Sequence, residues 1–180
     1  MRIRNYRPED LPTLVQIQQA ASLTDGYTVA QPEISIETWL TSPEMDARSN
    51  AFIITDDDDE LNTWGQAGTL DGIEGEVVGY TTLTFYQDQD AYHLLCQGAV
   101  YPQQRQRGAG RLLLVGALNR ARILAAEFEF EAEQEGIPIY FEALLPMRDT
   151  TNSRLTEKCE MYSVDEVTQN GMQLYRRDLW

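Results

Sequence analysis

The segment Val100–Gly110, reading Val-Tyr-Pro-Gln-Gln-Arg-Gln-Arg-Gly-Ala-Gly, gathers residue types suited to holding an anion. Gly108 and Gly110 lack Cβ atoms, so a ligand can approach the backbone closely and unusual dihedral angles cost little. Arg105, Arg107 and Arg111 add positive charge, and a guanidinium pairs with phosphate through two parallel hydrogen bonds. The 180-residue chain has 14 Lys+Arg against 29 Asp+Glu, a formal charge of −15, so this cluster stands out. The apolar-periodic run that follows, Arg111 to Arg122, predicts a helix. A helix start offers unpaired N–H groups and a positive dipole end, which together suit a pyrophosphate. Two other phosphate motifs are excluded. A P-loop needs Lys and Ser/Thr after its last glycine, where Arg111-Leu112 stands, and a dinucleotide fingerprint needs a glycine where Arg105 stands. The plain alternative is a strand–loop–helix turn with exposed arginines.

The spacing resembles the acetyl-CoA loop of the GCN5-related N-acetyltransferase (GNAT) family, Gln/Arg-x-x-Gly-x-Gly/Ala. Arg105-Gln106-Arg107-Gly108-Ala109-Gly110 fits every specified position, and Val100-Tyr101-Pro102 supplies the Val-x-Pro favoured upstream. The resemblance implies an α+β fold, with a mixed, mostly antiparallel central sheet flanked by helices. It also implies acetyl-CoA as co-substrate, with no metal. Two parallel strands, Tyr92–Val100 and Pro138–Leu145, would splay apart around the pantetheine arm. Ala99 and Val100 would then act through main-chain groups. Gly98 is the expected site of a bulge that breaks the pairing. Asn152 would contact the co-substrate, or else serve as a helix cap.

The implied reaction is direct acyl transfer: an uncharged amine attacks the thioester carbonyl, a strand N–H stabilises the oxyanion, and CoA leaves as a thiol. Many family members donate that proton from a tyrosine within Leu-Tyr-x-Lys-x-Gly-Phe, and this chain departs from the pattern. One register, Leu155 to Lys158, puts Thr156 at the tyrosine position. The other, counted from Asn152 with Ser163-Val164 at Gly-Phe, puts Cys159 there. Cys159 is thus a candidate acid or a small packed residue, and Tyr162 is the nearest phenol. For the base, several relatives carry a glutamate where Leu94 stands. The lone histidine, His93, should point to the opposite strand face. A water chain or Glu142 is the remaining option.

The elements that must position these residues follow in order. Met1–Arg7 alternates as a strand. A helix runs from Pro8 to about Ala21, and a short one is expected around Ile36–Leu40. Tyr27, Glu33, Glu37 and Trp39 either line an acceptor pocket or belong to core and surface. Ala51–Thr55, Val77–Tyr86 and Tyr92–Val100 read as strands. The acidic run from Asp56 to Glu60 and on to Gly75 lacks spaced calcium-loop ligands and reads as a surface loop. A long helix, Gly108 to about Gln134, precedes the strand Pro138–Leu145. A further helix, Asn152–Tyr162, leads to strands near Val164–Val167 and Met172–Leu179. The order β-α-α-β-β-β-α-β-α-β-β is the order the family resemblance implies.

The length suits a single domain, residues 1–180. No apolar stretch approaches the ~20 residues of a membrane span, and the basic N-terminus lacks a signal peptide's apolar run. Cys96 and Cys159 read as reduced thiols, so a cytoplasmic location is expected. The negative charge argues against nucleic acid. It either focuses a cationic amine or serves solubility. The expected acceptor is a small-molecule, peptide or protein amine, with no membrane partner; a homodimer stays open. Two rival readings are a non-catalytic acyl-CoA-binding or regulatory domain and a phosphate- or nucleotide-binding module.

Overall fold

The computed structural model describes residues 1–27, 35–56, 75–149, 151–167 and 171–179. Glu33 and nearly all of the acidic run lie outside the described residues. Seven strands form one sheet: β1 (Arg2–Asn5), β2 (Ala51–Asp56), β3 (Glu76–Gln87), β4 (Tyr92–Val100), β5 (Ile139–Pro146), β6 (Tyr162–Val167) and β7 (Met172–Asp178). Their spatial order is β1-β2-β3-β4-β5-β7-β6. Every neighbouring pair is antiparallel except β4–β5. The helices are α1 (Leu11–Asp25), α2 (Ile36–Thr41), α3 (Ala47–Asn50), α4 (Ala109–Glu135) and α5 (Asn152–Lys158).

Strand alternation sends successive side chains to opposite faces. On one face Leu94, Cys96, Ile139 and Phe141 pack with Leu114, Ala117, Leu118 and Ala121 of α4. On the other, Ile53 and Tyr80 pack with Leu14 and Ile17 of α1 and Trp39 and Leu40 of α2. Leu155 and Cys159, from α5 and its end, join the α4 face. The sheet therefore separates an α1/α2 layer from an α4/α5 layer. Long α4 is rich in Ala, Leu and Glu, all strong helix formers. It closes where Ile137 N–H donates to the Ala132 carbonyl (3.1 Å), a reach typical of a helix C-terminus.

The expected element order holds, with the one-turn α3 added. Three expectations fail. The helix expected from Pro8 to about Ala21 spans Leu11–Asp25 instead, after a 3-10 turn at Pro8–Asp10. The helix expected to reach Tyr162 ends at Lys158, because Glu160 turns left-handed (φ 55°) and Tyr162 already opens β6. There is also no bulge at Gly98: β3 and β4 pair without a break from Gly79↔Val100 to Gln87↔Tyr92. A register shift lies instead between Ile54 and Thr55, where β2 meets β3. Glycine at 98 answers a different need, since a Cβ there would sit 2.9 Å from Thr81 Cα.

Candidate functional site

The site begins where β4 and β5 part. Their parallel pairing ends at Cys96↔Ala143. Beyond it β4 stays paired to β3 as far as Val100, and β5 to β7 as far as Pro146. The alternation of backbone groups shows what this exposes. Tyr92 N–H donates across to Pro138 (3.0 Å), whereas Tyr101 N–H donates back to Val78 on the β3 side (2.9 Å). Even-numbered residues of β4 therefore aim their backbone groups at β5. Past the split, N–H and C=O of Gly98 and N–H of Val100 face the gap. Ala99, expected to act through its main chain, instead pairs with Tyr80 and faces β3. On β5, Met147 N–H donates to Gly171 (3.0 Å) on the β7 side, so the Leu144 carbonyl faces the gap. Backbone groups in such a place demand polar partners.

A cavity of about 620 Å³ passes through this gap. It reaches Ala21, Asp25, Tyr27 and Tyr80 on the α1 face, and Gly108, Gly110, Leu113 and Leu155 on the α4 face. Its floor includes Cys96, whose thiol lies 3.1 Å from Thr81 Oγ1 and is pushed up to about 11 by burial.

At the α4 end the loop turns through two left-handed residues, Gln106 (φ 65°) and Gly108 (φ 93°), before the helix starts. A Cβ on Gly108 would meet no atom within 4 Å, and one on Gly110 would meet only Leu155 Cδ2 at 4.0 Å. Packing against the protein therefore does not require glycine at either place. Side chains there would fill the cavity in front of the helix start, where the N–H groups of Ala109, Gly110 and Arg111 have no intrahelical acceptor. Such a cradle fits a diphosphate.

The three arginines divide. Arg105 is committed within the protein: Nη1 and Nη2 donate to the two Asp25 oxygens (2.6 and 2.7 Å), and Nε to the Val100 carbonyl (3.3 Å). It also lines the cavity. Arg107 pairs with Asp56 (2.5 Å). Arg111 lines the cavity and is joined there by Arg154 and Lys158 of α5. Those two α5 residues are one helical turn apart, so both face the same way. Asn152 also lines the cavity, is buried, and donates Nδ2 to the Pro146 carbonyl (2.6 Å), tying α5 to the end of β5. Thr151, not Asn152, holds the position before the helix.

The expected acid and base residues lie elsewhere. Cys159 is buried in the α4-side core, and burial raises its thiol. Tyr162 sits on β6, donates to Asp178 (2.8 Å), and is pushed up to about 12 by desolvation and then that bond. Neither lines the cavity. Leu94 is fully buried in the α4-side core, and His93 does point to the other face. There its Nδ1 lies 3.1 Å from Glu142 and its Nε2 3.0 Å from Asp88. Glu142 is fully buried and also accepts from Tyr86 (3.2 Å), Arg176 Nε (2.8 Å) and Arg176 Nη2 (2.6 Å). A carboxylate with these donors has no open face toward an amine, and Glu142 does not line the cavity.

Of the acceptor candidates, Tyr27 lines the cavity, Trp39 is core with Nε1 donating to Thr84 (2.8 Å), and Glu37 is exposed on α2. Sequence reasoning missed Tyr80, Cys96 and Asp25. The helix-stop pair Asp25-Gly26 was the available signal for the last. Burial raises the Tyr80 phenol, and burial followed by the Asp25 charge takes that of Tyr27 up to about 12.

No protein-family model matches the chain, and no curated protein matches it in sequence. Solved structures do. A GNAT-superfamily phosphinothricin acetyltransferase from Sinorhizobium meliloti, in complex with acetyl-CoA, superposes with a TM-score of 0.64 at 14% identity, over 98% of this chain and 87% of that one. The yncA protein of Salmonella typhimurium, solved with its cofactor acetyl-CoA, gives 0.63 at 15% identity over 100% and 94%. A GCN5-related N-acetyltransferase from Kribbella flavida gives 0.62 at 14% identity over 98% and 96%. The mixed sheet, the parallel split pair and these likenesses define the fold of the GNAT acyl-CoA acyltransferases. Among the described residues no group of acids, histidines or cysteines is arranged to hold a metal. No described helix is long and apolar enough to cross a membrane.

Proposed function

We propose that this protein is an acetyl-CoA-dependent N-acetyltransferase that moves an acetyl group directly to a primary amine. The observation that carries the reading is the cavity itself. It runs from a glycine-lined helix start, past the backbone groups of Gly98, Val100 and Leu144 that face the gap, and through the sheet to the α1 face. A diphosphate joined to an amide-bearing arm matches that sequence of groups. The solved structures with acetyl-CoA bound support the same choice.

Acetyl-CoA supplies the activated acyl group as a thioester. The helix-start N–H groups and Arg111 hold the phosphates, with Arg154 and Lys158 adding positive charge along the same wall. Gly98 and Val100 N–H groups orient the arm and polarise the carbonyl. The amine approaches from the α1 face, between Ala21, Tyr27, Tyr80 and Leu144. As the C–N bond forms and the C–S bond breaks, nitrogen gives up its proton to solvent water, a side chain delivers one to the departing sulfur, and that side chain regains a proton from solvent. Tyr27 is the donor this geometry favours, since it is half-buried at the mouth and stays protonated through neutral pH. Tyr80 is held in the apolar cluster below.

Thermal-shift measurement with acetyl-CoA, CoA and ATP tests the reading. Stabilisation by both CoA species is expected, and stabilisation by ATP alone would refute it in favour of a nucleotide-binding module. Turnover then separates the enzyme from a non-catalytic acyl-CoA-binding domain, a reading kept open by the distance of Cys159 and Tyr162 from the cavity. Binding without turnover on a broad amine panel would select that alternative.

A further inference from the structure

The tip of α1 touches both arms of the split. Asp25 holds Arg105, which follows β4, by two hydrogen bonds, and Arg105 in turn holds the Val100 carbonyl at the end of β4. Gly26 lies under Arg148, which follows β5: a Cβ on Gly26 would come 2.5 Å from Arg148 Nη1. Gly171, at the start of β7, faces the same place, its Cβ position being 3.8 Å from Gly26 O and Tyr27 Cα. The Asp25 side chain is only 5% exposed and that of Arg105 23%. A carboxylate so buried persists only with a well-placed partner. The Gly26 backbone is left-handed (φ 66°), which permits the chain to leave the helix at this point of contact.

We infer that Asp25 and Arg105 are positioning residues, a strut that fixes the phosphate loop against the tip of α1, and that the Arg105 side chain is not a phosphate ligand. The inference rests on the acyl-CoA reading above. By this account the first arginine of the loop acts on the donor indirectly. It pins the end of β4, and with it the Val100 N–H and the turn through Gln106 to Gly108. The pair also connects the side from which the amine approaches to the loop that holds the donor.

The two roles predict opposite signs for one substitution. If Arg105 were a phosphate ligand, Asp25→Asn would release it toward the donor and tighten binding, while Arg105→Gln would weaken it. As a strut, Asp25→Asn and Arg105→Gln each weaken acetyl-CoA by roughly tenfold. The double variant is then no worse than Arg105→Gln alone, because that change already removes the pair with Asp25 together with the bond to Val100. Titration calorimetry with acetyl-CoA on the four proteins reads this directly. S-acetylpantetheine, which has the arm but lacks the diphosphate, is the control: in Asp25→Asn its KM should rise by less than the Kd of acetyl-CoA, because only the share of binding carried by Val100 is lost, whereas a general loss of fold would weaken both donors equally. The charge-swapped double variant Asp25→Arg, Arg105→Asp should recover part of the affinity. Tighter binding by Asp25→Asn, or additive losses in the double variant, would overturn the strut and leave the acyl-CoA reading standing. Absence of binding by the unaltered protein would remove both.

Discussion

Gly108 offers the sharpest test at the scale of single residues. Its Cβ position is empty of protein atoms and lies in the cavity, so Gly108→Glu puts bulk and negative charge where the phosphates are proposed to sit. Acetyl-CoA binding should vanish by calorimetry. Gly108→Ala should lose less, since it adds only strain at φ 93°. Unchanged affinity in Gly108→Glu would refute the loop assignment. Cys159→Ala should leave the pH–rate profile unchanged, because that thiol packs in the core; a lost alkaline limb would restore it as the acid. Tyr27→Phe should reduce kcat with little change in the Kd of acetyl-CoA, and an equal kcat would exclude Tyr27 as proton donor. The sequence singles out Gly108, Gly110 and Arg111 because the motif is local, and all three line the cavity. The pairing of Arg105 was not legible for the opposite reason: its partner, Asp25, lies in another element, and a guanidinium committed across that distance leaves no mark in spacing.

Elements were read most accurately where periodicity was strong. The Tyr92–Val100 strand matches residue for residue, and α4 agrees to within one residue at each end. Errors fell at termini decided by backbone conformation rather than composition. The end of α5 carries neither of the usual stop signals, because Glu160, not glycine or asparagine, adopts the left-handed turn. The split of β4 from β5 left no local trace either; a glycine at 98 suggested a bulge, but the strands part while β3 and β4 remain in register. Two interactions that join elements can be tested by stability. Glu142 links β3, β4, β5 and β7 through Tyr86, His93 and Arg176, so Glu142→Ala should cost about 3 kcal/mol in urea unfolding by leaving Arg176 without its buried partner. Asp10 ties the start of α1 to β1 through Arg4 (2.7 and 2.8 Å) and accepts from Arg7 N–H (2.9 Å). Burial pushes its carboxyl up, but those bonds outweigh it and hold the group below its ordinary value. A lowered carboxylate stabilises the fold above the unfolded value of about 3.9 and loses that contribution as pH falls through the folded one. Asp10→Asn should therefore lower Tm at neutral pH and flatten its dependence on pH below about 4.

For the molecule as a whole, a charge of −15 opposes the approach of an anionic donor, while the basic wall of Arg111, Arg154 and Lys158 favours it at short range. Salt should separate the two. Between about 10 mM and about 150 mM, where the Debye length falls from ~30 Å to ~8 Å, the association rate of acetyl-CoA should rise in stopped-flow measurements as the long-range repulsion is screened. A falling rate would mean that the local wall dominates even at a distance. That wall has one more consequence. Lys158 is the chain's single lysine, is exposed, and lines the cavity. An amine-reactive label can therefore mark one side chain only, and its protection, read by peptide mass mapping, becomes a footprint of donor occupancy in the unaltered protein.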